Sequence, residues 1–250
     1  MKSKNEKISS TKDLESPSRR NAILTAGAGA VAAVGATGAF SQTHAKDSVN
    51  RKNIHNMDGA TSLITGGARG IGLASAIALA KEGSNIVLYD VAENLPGVNY
   101  PLANESDLSE AKETIEKHGV KCAIHKGDVR NRNRMSQVVE KTIKQFGSLD
   151  HVVINAGVTQ IGMIEHFTDE EVQTVIDINV TGAVRTVQSV VPIMRKQKSG
   201  GITIISSVLG RQGAEWFPIY SSTKWAVIGL AKSTALIMGK HNVTCNAICP

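Results

Sequence analysis

From Thr61 onward, six short apolar runs alternate with longer stretches of helical periodicity, and few folds accept that alternation. The runs span 61–65, 85–90, 122–126, 151–155, 202–206 and 243–248; each is rich in β-branched residues and nearly continuous in apolar character. A strand with one face in water alternates apolar and polar residues, so these are strands covered on both faces. Helical patterns fall at 70–82, 106–118, 132–146, 169–195 and 221–240. Repeated β-α-β units require right-handed crossovers and predict α/β architecture: a single doubly wound parallel sheet flanked by helices. Ligands of such sheets sit beyond the carboxyl ends of the strands. A length of 250 residues suits one such domain with an appendage. The net charge of +6 lies partly in the first 45 residues, which leaves no basic stripe for nucleic acid.

Chemistry concentrates in three stretches. TGGARGIG follows the first run and opens the first helical pattern. Gly66, Gly70 and Gly72 suit a tight turn, a close approach to a pyrophosphate and close helix-on-strand packing, and Arg69 and Ile71 complete the loop. The helix N-terminus then turns unpaired N–H groups toward the phosphates. Eighteen residues past Gly72, the second run ends in Asp90. A carboxylate there accepts hydrogen bonds from the adenosine ribose and repels a 2′-phosphate, so NAD is expected rather than NADP. Arg69 pulls weakly the other way unless it is simply solvated. In YSSTK, Tyr220 and Lys224 stand four apart on one helical face. A tyrosine near its ordinary pKa of about 10 exchanges protons poorly at neutral pH, and a nearby ammonium favours the phenolate. Tyr220 is thus the candidate general acid or base, with Lys224 expected to lower its pKa.

With Asn155-Ala156-Gly157, DINVTG carrying Asn179 and IISSVLG carrying Ser207, these stretches resemble the short-chain dehydrogenase/reductase family in order and spacing. Ser207 falls thirteen residues before Tyr220, as in that family, and the resemblance runs from about Gly59 to Pro250. It implies a Rossmann-type sheet and hydride transfer between a nicotinamide and a secondary alcohol or ketone. Tyr220 would exchange the proton, Ser207 hold the substrate oxygen, Lys224 contact the nicotinamide ribose and Asn179 keep a water in the proton relay. Asp128 and Val129 match the adenine-contacting position, Asn155, Ala156 and Gly157 the structural NAG, and Pro250 counts among the cofactor-binding positions. A homo-oligomer, dimer or tetramer, paired through the long helices is implied as well. Residues 93–108, rich in Pro, Gly and Asn, read as an ordered insertion placed to cover the adenosine. This insertion resembles that of the carveol-dehydrogenase-like, mycofactocin-coupled branch, which implies a nicotinamide held without release and an external electron acceptor. Two other readings fit the residues: an NADPH-dependent 3-oxoacyl reductase-like cytoplasmic enzyme, and a non-catalytic dinucleotide binder, against which the intact Asn179, Ser207, Tyr220 and Lys224 set stands.

The N-terminal segment reads differently. Residues 1–17 are polar and aperiodic, Ser18 to Leu24 resembles a twin-arginine signal around Arg19 and Arg20, and Thr25 to Phe40 is uncharged and Ala/Gly-rich. That stretch is too short and too weakly apolar for a membrane anchor. Thr43 and Ala45 make a small-x-small end, so 1–45 is expected to be an export signal, 46–58 a linker and 59–250 the catalytic domain. Export to the periplasm follows, whereas translation from Met57 would leave a cytoplasmic enzyme. Family members continue beyond the NAICP stretch that ends here at Pro250, so exposed apolar surface and a thinner substrate wall are expected. Cys122, Cys245 and Cys249 read as thiols, since residues four apart on a strand lie roughly 13 Å apart, beyond disulfide reach. The seven histidines show no metal-ligand spacing. RNRNR at 130–134 reads as a solvated loop, and Met163, Trp216 and Phe217 as candidates for the substrate mouth.

Overall fold

The computed structural model describes residues 57–250, so the expected signal segment and all but the last two residues of the expected linker lie outside the described residues. Six strands, β1 (Thr61–Thr65), β2 (Asn85–Asp90), β3 (Cys122–Lys126), β4 (His151–Ile154), β5 (Gly200–Ile205) and β6 (Val243–Ile248), form one parallel sheet in the order β3-β2-β1-β4-β5-β6. The crossovers carry helices α1 (Gly70–Lys81), α2 (Glu105–Glu116), α3 (Arg132–Phe146), α4 (Asp169–Ile176), α5 (Gly182–Gln197) and α6 (Pro218–Met238). This is the Rossmann-type doubly wound sheet the sequence predicts, and strand order reverses between β1 and β4, where a crevice opens.

Every residue of β1 is buried because helices cover both faces. Leu63 faces the layer of α3, α5 and α6 with Met135, Val138, Val190 and Val227, while Ile64 faces α1 and α2 with Ala76, Ala80, Leu108 and Ile115. The alanines of α1 let that helix lie close to the sheet, and each fully buried Leu or Ile contributes about 1.5–3 kcal/mol. Burial falls off at β6, where Thr244, Asn246 and Ile248 are exposed.

Six elements differ from the sequence reading, two of them slightly: α1 ends at Lys81 rather than 82, and α2 spans Glu105–Glu116 rather than 106–118. β4 ends at Ile154, because Asn155 leaves the ladder to bond β1. β5 runs from Gly200 to Ile205 rather than 202–206. The pattern at 169–195 is not one helix: a π-helical turn, Asp177–Thr181, separates α4 from α5, with Gly182 N–H bonded to the Asp177 carbonyl five residues back. The last helix begins at Pro218, since a first-turn residue needs no N–H and proline presets the backbone there, and ends at Met238. All three cysteines are free: burial pushes the Cys122 thiol up to about 12 and the Cys245 thiol to about 11, and Cys249 is half-buried. Among the described residues no helix is long and apolar enough to cross a membrane.

Candidate active site

The crevice is a cleft of about 350 Å³ built from the loops that follow the strands. Gly66, Arg69, Gly70 and Ile71 form one wall. Gly66 and Gly70 take positive φ of 65° and 58°, and no side chain caps the N-terminus of α1, whose first turn also lacks acidic residues. Its N–H groups are therefore available to a diphosphate, so the loop fits a dinucleotide. Asn155 fixes the loop: its side-chain amide donates to the Thr65 carbonyl at 3.1 Å and the Gly66 carbonyl at 2.9 Å, while its backbone N–H reaches Thr65 Oγ1 at 3.0 Å. Gly72 does not line the cleft. It packs behind the loop, where a Cβ would collide with the Gly66 carbonyl oxygen.

Asp90 lies on the cleft floor, and its two oxygens accept N–H groups from Ala68 at 3.0 Å and Ala92 at 3.1 Å. It therefore braces the glycine loop, and the second lone pair on each oxygen stays free for ribose hydroxyls. Asp128 and Val129 line the same cleft, and Asp128 pairs with Arg130 at 2.6 Å. That pairing corrects the reading of 130–134 as wholly solvated, and α3 itself begins at Arg132.

Ala156, Gly157, Ser207, Tyr220, Lys224 and Pro250 line the opposite end. Tyr220 and Lys224 occupy the first two turns of α6, and Ser207 precedes a 3-10 turn, Val208–Gly210, packed on α6. That packing is held by Ser206 Oγ donating to the Lys224 carbonyl at 2.8 Å. Pro250 closes the end by accepting the Val208 N–H at 2.6 Å. Ser207 hydrogen-bonds the Tyr220 hydroxyl. The expectation that Lys224 depresses the Tyr220 pKa is overturned. Burial raises Tyr220 above its ordinary value, opposed by the Ser207 hydrogen bond. The Lys224 ammonium lies over the Tyr220 ring, 5.4 Å from its centroid, and donates to the Ile205 carbonyl at 2.9 Å. Burial in turn pulls Lys224 down to about 8.

Asn179 sits inside the π turn, buried behind the cleft rather than on its wall. Its Oδ1 accepts the Val158 N–H at 2.8 Å, and its Nδ2 donates to the Val158 carbonyl at 2.9 Å and to Thr223 Oγ1 at 3.0 Å. Both amide protons are spent, so the side chain pins the loop after β4 to α6 and could hold a water only as an acceptor. Phe217 meets Tyr220 edge-on, with centroids 6.4 Å apart, and Trp216 stands half-exposed beside it. Neither they nor Met163 lines the cleft itself.

The insertion at 93–108 is ordered, and its last four residues are the first of α2. Leu95, Tyr100, Leu102 and Ala103 face into the cleft, a contribution the sequence reading missed. Arg69 is exposed, as read from the sequence, and donates one N–H to the Pro101 carbonyl at 2.8 Å, a tie to the insertion that its sequence did not signal. The Tyr100 hydroxyl accepts the Thr159 N–H at 3.1 Å.

A doubly wound sheet whose crevice joins a glycine loop, a carboxylate at the end of β2 and a Ser-Tyr-Lys set defines a nucleotide-dependent enzyme. The short chain dehydrogenase family model matches residues 60–250, and the chain belongs to that family: it is an oxidoreductase of alcohols and carbonyls. It is 34% identical over 196 residues to (-)-trans-carveol dehydrogenase of Rhodococcus erythropolis, covering 78% of this chain and 71% of the relative. The crystal structure of carveol dehydrogenase from Mycobacterium avium in complex with NAD is similar with a TM-score of 0.76 at 32% identity, covering 78% of this chain and 72% of that one. A 3-oxoacyl-[acyl-carrier-protein] reductase of Staphylococcus epidermidis is 34% identical over 191 residues, covering 76% of this chain and 73% of the relative.

Proposed function

We propose that the protein moves a hydride between NAD and a lipophilic secondary alcohol or its ketone, with Tyr220 exchanging the hydroxyl proton. The observation that carries this reading is the convergence of Ser207, Tyr220 and Lys224 on the cleft that holds the glycine loop. NAD supplies the hydride acceptor when bound. Ser207 holds the substrate oxygen and Tyr220 takes or gives its proton, while Lys224 contacts the nicotinamide ribose. Because burial raises the Tyr220 pKa, the phenol carries its proton at neutral pH. That state donates to a nascent alkoxide in ketone reduction, and alcohol oxidation speeds up as the pH rises. Asn179 acts as a positioning residue through Val158 and Thr223. The pairing of Asp90 with the ribose hydroxyls favours NAD, and the 3-oxoacyl reductase reading, which rests on the staphylococcal relative, requires NADPH instead.

The substrate class is drawn from the carveol dehydrogenase relatives and from a rim of half-exposed apolar side chains. Ile161, Ile164, Val208 and Trp216 form it, on two loops joined by Gly162 N–H to the Trp216 carbonyl at 3.0 Å. The test is a panel of secondary alcohols with NAD or NADP, comparing wild type with Tyr220→Phe. Equal rates in both proteins would sink the mechanism, and a strong NADP preference would favour the reductase reading.

Three finer elements belong to the same proposal. Export by the twin-arginine route rests on Arg19, Arg20 and the uncharged stretch after them. Self-association, as a dimer or tetramer, is supported by α6, whose outer face carries Trp225 at 54% and Leu236 at 85% exposure. Retention of NAD under residues 93–108, with electrons passed to an external acceptor, suits an enzyme working where no pool replaces the cofactor. Mass spectrometry of the exported protein for its N-terminus and bound nucleotide tests export and retention together, and sedimentation tests assembly.

A further inference from the structure

Residues 93–108 leave β2, run out over the cleft and return to α2, and two consecutive residues touch opposite walls of the crevice. The Pro101 carbonyl is held by Arg69, on the glycine loop that follows β1. The hydroxyl of Tyr100 is held by the N–H of Thr159, on the loop that follows β4. Those are the two loops between which the strand order reverses, so Tyr100-Pro101 spans the crevice at the point where a dinucleotide enters it.

We infer that Tyr100-Pro101 is a crossbar that holds a bound dinucleotide in the crevice, with Arg69 and Thr159 as its anchors. The inference rests on the reading of 93–108 as a cofactor cover and assigns that role to two hydrogen bonds. The rest of the strap is fixed elsewhere. At its feet, Lys126 bridges Glu93 at 3.1 Å and Glu105 at 2.8 Å. At its tip, the Gly97 carbonyl accepts from the Gln160 amide and the Pro96 carbonyl accepts from Thr174 Oγ1 at 3.3 Å. Asn94 Oδ1 accepts the Leu102 N–H at 2.8 Å and closes the strap on itself. With feet and tip tied down, the crossbar is the segment over the cleft whose anchors must break for a nucleotide to leave. Because the Tyr100 oxygen accepts from Thr159, its own proton remains available to donate into the cleft. The Arg69 guanidinium spends one of its N–H groups on Pro101 and so serves as the second anchor of the cover.

The experiment uses the full chain loaded with NADH and mixed with excess ADP-ribose, following the loss of protein-bound NADH fluorescence. Tyr100→Phe keeps the ring but removes the acceptor for Thr159, and Arg69→Gln removes the guanidinium. Each is expected to speed release about three- to tenfold, the range one hydrogen bond supports, with the melting temperature unmoved, and the double variant to release faster than either. Wild-type release rates in both point variants would overturn the crossbar. A third protein, with the strap shortened by a Gly-Ser bridge, separates this from the underlying reading. If shortening speeds release while the point variants do not, the crossbar falls and the cover stands. If shortening changes nothing, the cover reading falls with it, and absence of any NADH binding overturns both.

Discussion

Replacing Gly72 by alanine isolates the close approach on which the nucleotide loop depends. The added methyl would collide with the Gly66 carbonyl oxygen and lie 2.7 Å from Asn155 Nδ2 and 2.9 Å from the Gly66 carbonyl carbon. None of these is a flexible side-chain end. Gly66 is held by Asn155 at 2.9 Å, and the same amide is fixed to Thr65 at 3.1 Å. Making room therefore means pushing the loop off its two hydrogen bonds. Overpacking of this kind costs about 1–3 kcal/mol, and each lost hydrogen bond adds about 0.5–1.5 kcal/mol. Alanine returns up to about 1 kcal/mol through helix propensity. The net expectation is a loss of about 1–6 kcal/mol, a large part of the stability of an ordinary domain. Urea unfolding followed by circular dichroism reads it, and NADH titration should show weaker binding because the displaced loop no longer presents its N–H groups. A Gly72→Ala protein as stable as wild type would refute the packing argument.

Tyr220→Phe should lower turnover by about 10²–10⁴ while NADH binding, read by fluorescence titration, persists. Asn179→Ala leaves the Val158 N–H and carbonyl unpaired in a buried setting, which costs about 2–4 kcal/mol by urea unfolding. Burial takes Lys224 from 10.5 to about 8, so between those values the unfolded chain binds the extra proton and stability rises with pH. The difference in unfolding free energy between wild type and Lys224→Met should therefore shift in favour of wild type by about 3 kcal/mol across that window. A difference that stays flat with pH would contradict the burial argument.

How much of this was legible in the sequence depended on the range of the interactions involved. β1, the glycine loop and α1 were readable because an apolar run followed by glycines and a helical period is a local pattern, and β1, β2, β3 and β6 fall on the predicted residues. The π turn at Asp177–Thr181 was not, since a bond five residues back leaves no side-chain signature in DINVT. The start of α6 carried a signal that the reading passed over, Pro218 at the first helical position. Within the site, Tyr220 and Lys224 were marked by their spacing and Ser207 by the family resemblance, but the direction of the Tyr220 shift was not legible, because it depends on burial in the folded protein. Tyr100 itself gave no local cue: its partner Thr159 is 59 residues away.

The most direct test of the proposed chemistry is a single turnover. Protein carrying NAD is mixed with a lipophilic secondary alcohol, and the appearance of NADH fluorescence is followed for wild type and Tyr220→Phe. Wild type should produce NADH at a rate that increases with pH, and the variant should be slower by at least about 10². NADH formation at the same rate in both proteins, or none in wild type with any alcohol of the panel, would contradict proton exchange by Tyr220 in this cleft.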